Sequence, residues 1–145
     1  MKKIIAVLLA IVAMIAVFSG CSGQKAEPTS GVDVDLTVLS STMVYAEVAN
    51  MVAEPESYVG KTIKMQGQYY AQYYELTSRY YHFVIIADAT ACCAQGLEFV
   101  WLGEHAYPTD YPKDKTEIEL IGIFESYKED GDTYYRVSTK EVGVL

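Results

Sequence analysis

Residues 116–138, TEIELIGIFESYKEDGDTYYRVS, constrain the fold of this chain more tightly than any other stretch. Glu117 and Glu119 alternate with Ile118 and Leu120, a period of two that suits a strand with one wet and one buried face. KEDGD splits the segment, and its Asp130-Gly131 is a hairpin signal, because both residue types tolerate the positive φ of a tight turn. A long antiparallel pair is therefore predicted, with Ile118 and Leu120 in a core and Glu117 and Glu119 facing water.

The same period recurs upstream. In KTIKMQGQYY, Ile63, Met65, Gly67 and Tyr69 alternate with Thr62, Lys64, Gln66 and Gln68, and Gly67 allows a bulge or sharp coil. Two further strands are predicted. RYYHFVIIAD has no polar residue over 83–87, so both of its faces should be covered, and LEFVWL sets Leu97, Phe99 and Trp101 on one side. Ahead of the strands, SSTMVYAEVANMVA over residues 40–53 places Val44, Val48, Met51 and Val52 on one helical face. Ser and Thr stand at its start as capping candidates, and Glu54-Pro55 ends it, since the residue before proline is pushed out of the helical region. Five strands, the first and fourth each with a mid-strand glycine, favour a closed barrel over a sandwich, because curled strands need such kinks. The expected class is all-β with one N-terminal helix, a five-stranded OB-fold-like barrel, with an SH3-like barrel as the alternative. EPESYVGKTIKMQGQY resembles the entry segment of many OB barrels. A scaffold shared by unrelated activities does not assign one.

The start of the chain, MKKIIAVLLAIVAMIAVFSGCSG, has Lys2 and Lys3 before an uncharged apolar run over residues 4–18. That run is shorter than the roughly 20 residues needed to span a bilayer as a helix, and small residues precede Cys21. The ending resembles the bacterial lipobox. The resemblance implies cleavage before Cys21, diacylation of its thiol and anchoring to the extracytoplasmic face of the cell membrane. The expected organisation is a signal peptide over 1–20, a Gly/Pro/Ser-containing tether over 21–35 and one domain over 36–145. Cleavage leaves 9 basic against 19 acidic residues, a formal charge of −10 where the whole chain carries −8. A field of that sign repels phosphate backbones and concentrates cations, so no nucleic-acid partner is expected.

Tyrosines cluster at 69, 70, 73, 74, 80 and 81. Base-stacking grooves are normally basic, whereas only Lys64 and Arg79 lie near these rings. Packing on a half-buried barrel surface is the better reading of most of them, with a carbohydrate or small organic ligand as the functional alternative.

The adjacent Cys92 and Cys93 sit in DATACCAQGLEF. With Pro55, Tyr58, Gly60 and Lys61 before them and Gly96 and Leu97 after, they resemble the C-terminal, OB-like, cysteine-pair domain of an uncharacterised family of bacterial membrane proteins encoded beside a predicted permease. The resemblance implies a membrane-protein partner and a link to metal handling; the family's aspartate after the cysteines is replaced here by Asp88 before them. Three uses of the pair stay open. A disulfide between neighbours joins α-carbons about 3.8 Å apart, below the usual range of roughly 4.4 to 6.8 Å, so it would be strained and easily reduced, as a redox pair could be. Zinc suits thiolate and imidazole, and Cys92, Cys93, His82 and Asp88 are the candidate ligands, provided the pair leaves the strand so that both sulfurs face one ion. Simple packing is the third use. His82 is expected as a strand histidine capped by a backbone carbonyl, and His105 as an exposed loop residue.

No phosphate loop, HExxH, GxSxG or EF-hand pattern occurs. The expectation is a non-catalytic, lipid-anchored binding or accessory module of the cell envelope, with a thiol-disulfide redox protein as the alternative.

Overall fold

Two glycines decide how the strands close. The structure, a computed structural model, describes residues 31–88, 90 and 93–145. Its elements are β1 (Val34–Asp35), α1 (Ser41–Ala53), β2 (Thr62–Tyr74), β3 (Arg79–Ala87), β4 (Ala94–Trp101), β5 (Glu117–Glu129) and β6 (Asp132–Val144). Within the barrel ring β2 serves two partners: residues 62–68 pair with β5, and residues 68–74 pair with β3. The ring runs β2-β3-β4-β6-β5 and back to β2, with β4 parallel to β6 and the other neighbours antiparallel. This is a closed Greek-key ring of five strands, an OB-like barrel.

Gly67 lies where β2 passes from one partner to the other. A Cβ there would stand 2.5 Å from the Ile85 carbonyl oxygen on β3. At Gly122 of β5 it would stand 2.3 Å from the Ser138 carbonyl oxygen on β6. Beside Gly122 the register slips: Lys140 and Glu141 of β6 oppose the single Ile121 of β5. The buried Thr139 donates its hydroxyl to the Ile121 carbonyl at 2.7 Å, which satisfies the group the bulge displaces. The β5–β6 turn is a two-residue loop, Asp130 and Gly131 at φ +50° and +93°, as the Asp-Gly signal predicted.

Ser40 caps α1 by accepting from the Met43 N–H, and the helix ends at Glu54 as expected. Val48 and Met51 are fully buried and Val44 is half-buried, but Val52 is exposed, contrary to the predicted face. The helix packs on β3 and β4 at the Ala87/Ala94 end of that pair, where Gln95 donates to Tyr45. The tyrosine, glycine and lysine of the entry segment have structural tasks. Tyr58 sets its ring edge-on to Phe124, with centroids 6.3 Å apart, and donates its hydroxyl to Glu47 of α1 at 2.8 Å. Gly60 takes φ +85° and donates to the Phe124 carbonyl, while the Lys61 ammonium lies 4.8 Å from the Tyr58 ring centre. The segment ties the helix to β5.

The last two residues of the segment expected as a tether belong to a strand. Val34 and Asp35 form β1, a sixth strand beside Ile63 and Lys64, and the Asp33 carboxylate accepts from the Thr62 N–H. Strand-pairing groups on both sides of β2 are thereby used, which composition alone does not reveal. Over 83–87, Val84 and Ile86 enter the core, Phe83 and Ile85 are half-covered, and Ala87 is exposed, so the outer face is only partly covered. Among the described residues no helix is long and apolar enough to cross a membrane.

Closure by close approach predicts a sharp difference between glycines. Gly67→Ala and Gly122→Ala should each cost about 1–3 kcal/mol or more, as overpacking against backbone does, measured by urea denaturation. Gly143→Ala, whose Cβ would meet only the Glu119 carbonyl at 3.5 Å, should stay within about 0.5 kcal/mol of the parent.

Candidate ligand groove

The sequence-predicted ligands fall at two ends of the barrel. His82 points inward from β3 near its Arg79 end, where the Tyr69 hydroxyl lies 2.7 Å from its Nδ1 and the Tyr111 ring stacks on it at 4.0 Å. Asp88 follows β3 at the other end, six residues on, or about 20 Å of strand. There the Asp88 N–H donates to the Cys93 carbonyl and the Asp88 carboxylate accepts from the Thr90 N–H, so Cys93 belongs to the loop before β4 and is exposed. His82 therefore does not join Asp88 and Cys93 around one ion. Cys92 and Cys21 lie outside the described residues. Among those described, no group of three or more His, Cys, Asp and Glu side chains could hold a metal.

His82 instead completes the core. Tyr69 is fully buried, and its hydroxyl shares a 2.7 Å hydrogen bond with Nδ1 of His82, whose direction follows the imidazole tautomer. Tyr107 and Tyr111, from the β4–β5 connection, cover the pair. Burial lowers the His82 pKa from 6.5 to about 4, so the ring is neutral at pH 7. The bland expectation for His82 stands in outline, with a tyrosine hydroxyl as its partner. His105 differs from expectation: it is half-buried and stacked on Trp101 at 4.0 Å.

A groove of about 280 Å³ opens on the outer face of β3 and β4, between the β2–β3 and β5–β6 hairpins. Alternation along β3 sends His82 and Val84 inward and Tyr81 and Phe83 outward; along β4 it sends Leu97 and Phe99 inward and Glu98 outward. Each hairpin contributes two tyrosines. Tyr74 and Tyr81 meet edge to face at 5.8 Å, and Tyr127 and Tyr134, cross-strand partners, lie 5.7 Å apart. The two hairpins are tied together by Glu129, which accepts from the Tyr81 hydroxyl at 2.6 Å and pairs with Arg79. Arg136 lies 4.4 Å from the Tyr127 ring centre and bonds Glu125 at 2.9 Å.

Glu98 sits half-buried in this groove and accepts from the Tyr127 hydroxyl at 2.8 Å. Burial raises its carboxyl pKa, and the Tyr127 hydrogen bond and Arg136 oppose that shift. Burial and the same hydrogen bond hold the Tyr127 phenol well above its usual range. The lining is aromatic and acidic, and the polar groups are fixed by neighbours before any ligand arrives. Such a site favours apolar and cationic groups and rejects anions.

Sequence reasoning singled out the tyrosines of the first hairpin but missed Tyr127, Tyr134, Glu98 and Glu129 as their partners. Glu98 occupies a wet-face position in LEFVWL, and Tyr127 and Tyr134 flank the Asp-Gly turn, so register across the turn could have paired the tyrosines. Nothing local shows that the β5–β6 hairpin approaches β4.

No protein-family model matches the chain, and no curated protein matches it in sequence. Among solved structures, the chain is similar to the dimeric N-terminal domain of the PriB protein from Thermoanaerobacter tencongensis, at 13% identity and a TM-score of 0.36, over 58% of this chain and 94% of that one.

The buried histidine sets a pH dependence. Unfolded His82 takes up its proton near pH 6.5 and folded His82 near pH 4, so its stabilisation is complete above about pH 6.5 and is lost as pH falls toward 4. After discounting for the solvent-accessible part of the ring, the loss should be on the order of 1–2 kcal/mol. Glu98, with its raised pKa, contributes with the opposite sign. Denaturation midpoints of the parent and His82→Gln between pH 7 and 4 isolate the histidine: the gap between the two proteins should shrink as pH falls.

Proposed function

We propose that the protein is a non-catalytic binding module of the cell envelope, anchored by lipid on Cys21 at the extracytoplasmic face of the membrane, and that its ligand enters the tyrosine groove. The observation that carries this reading is the groove itself. Two hairpins place four tyrosines around Glu98 on the outer face of β3 and β4, the face that OB-folds use for ligands. His82, on the inward face of β3, is neutral and bonded to Tyr69, and the groove carboxylates Glu98 and Glu129 each accept from a tyrosine hydroxyl, Tyr127 and Tyr81.

A membrane-protein partner fits the proposed location and the family resemblance. Nucleic acid does not suit an acidic lining, and the proposal has no role for it. Zinc, if taken up, would draw on Asp88 and Cys93 at the other end of the barrel, independently of the groove, with Cys92 as the further candidate that lies outside the described residues. One observation favours the second reading, a thiol-disulfide protein: Cys93 is exposed in a loop and not fixed in β4. A thiol count that falls by two on mild oxidation and recovers on reduction is its test.

Two measurements test the main proposal. Cys21→Ser should move the protein from the membrane fraction to the soluble or uncleaved pool and abolish acyl labelling. Titrating the full chain in detergent micelles with a small-molecule library, followed by two-dimensional amide spectra, should concentrate saturable shifts at Tyr74, Tyr81, Phe83, Glu98, Tyr127 and Tyr134. Tyr134→Ala should weaken those binders several-fold. Shifts scattered over the barrel, or confined to residues near Asp88 and Cys93, would overturn the groove as the ligand site.

A further inference from the structure

We propose that the ligand of the tyrosine groove carries an organic ammonium group. This deepens the preceding reading and rests on the groove being the ligand site. The lining consists of Tyr74, Tyr81, Tyr127 and Tyr134 with Phe83, Leu76 and Thr77, and three carboxylates, Glu98, Glu129 and Asp130; it includes no lysine or arginine. Aromatic faces carry the negative end of the ring quadrupole, so rings and carboxylates attract a cation together and repel an anion together.

The chain's own cations serve the walls from behind. Arg79 pairs with Glu129 and lies 5.2 Å from the Tyr81 ring centre; Arg136 bonds Glu125 and lies over Tyr127. Both line a neighbouring hollow of about 110 Å³ that shares Tyr81 and Glu98 with the groove. Tyr81 and Tyr127 thus already carry a guanidinium over their rings, and an ammonium in the groove would meet aromatic rings of the same kind. Glu129 is neutralised by Arg79. Among the described residues, Glu98 and Asp130 belong to no ion pair.

Glu98 is the telling group. Its carboxylate is half-buried, and its hydrogen-bond donor is the uncharged Tyr127 hydroxyl. A carboxylate removed from water without a full countercharge is costly, and an incoming ammonium supplies that charge where Arg79 and Arg136 stop short. The volume suits a small head group such as a substituted ammonium on a short organic body and not an extended polymer. The acidic surface of the mature chain adds a long-range attraction of the same sign.

Three probes of one shape and three charges test this. Tetramethylammonium, tert-butanol and pivalate are titrated into the full chain in detergent micelles at low salt, with the amide shifts of groove residues as the readout. Tetramethylammonium should bind at least about tenfold more tightly than tert-butanol, pivalate should not saturate, and added salt should weaken the ammonium alone. Glu98→Gln, which keeps an acceptor for Tyr127, should lower ammonium affinity about five- to tenfold and leave tert-butanol unchanged. Asp130→Asn, which suits the same turn, should give a smaller loss and serves if Glu98→Gln perturbs the fold. Equal binding of tetramethylammonium and tert-butanol in the groove would overturn the ammonium inference and leave the groove as the ligand site. Absence of saturable groove shifts with all three probes would overturn the ammonium inference, and the same absence across the wider library would remove the groove reading with it.

Discussion

The structure depends on two places where backbone meets backbone without a side chain between. Gly67 lies against the Ile85 carbonyl and Gly122 against the Ser138 carbonyl, at distances where a Cβ would overlap the oxygen. These approaches let β2 turn from β5 to β3 within one strand and let β5 curl against β6. Without them the strands would lie as a flatter, open sheet, with two unpaired edges and a core exposed along one side. With them the ring closes over Ile63, Met65, Tyr69, Val84, Phe99, Ile118 and Val137, all essentially solvent-free.

Closure also decides where chemistry can occur. The barrel interior is filled from both ends: Val48 and Met51 of α1 enter at one, and Tyr107 and Tyr111 cover Tyr69 and His82 at the other. Inward positions are then reserved for packing, and a polar group there survives only with a partner, as Tyr69 has in His82 and Thr139 in the Ile121 carbonyl. Ligand contact is left to the outer face, where the long β2–β3 and β5–β6 hairpins extend past the ring and flank Glu98.

Much of the fold was legible because its signals are local. Period-two alternation located β2 and β5, an unbroken apolar run located β3, Asp130-Gly131 fixed the last turn, and the paired glycines pointed to closure. The misses are non-local. Val52 has the right helical spacing for burial, but it stays exposed beside the fully buried Met51. Val34 and Asp35 look like tether until Ile63 and Lys64 offer a free edge. The candidate site was hardest to read. Tyr74 and Tyr81 could be grouped by eye, whereas Glu98 and Tyr127 are 29 residues apart and meet only because β4 and β5 are brought together by the ring. His82 and Asp88 show the reverse error: six residues apart in sequence, they look like neighbours, yet an extended strand carries them to opposite ends.

The residues that carry the family resemblance divide into two kinds. Tyr58, Gly60 and Lys61 bind α1 to β5, so their recurrence in a relative would imply the same barrel and helix but no ligand. Cys93, with Asp88 and Thr90, belongs to an exposed loop at the helix end, remote along β3 and β4 from the tyrosine groove. The metal or thiol chemistry proposed for that loop and the recognition proposed for the groove would thus use separate parts of one barrel. The groove and the loop lie toward opposite ends of the β3–β4 ladder. The two candidate activities therefore report on different surfaces, and evidence for one carries no weight for the other.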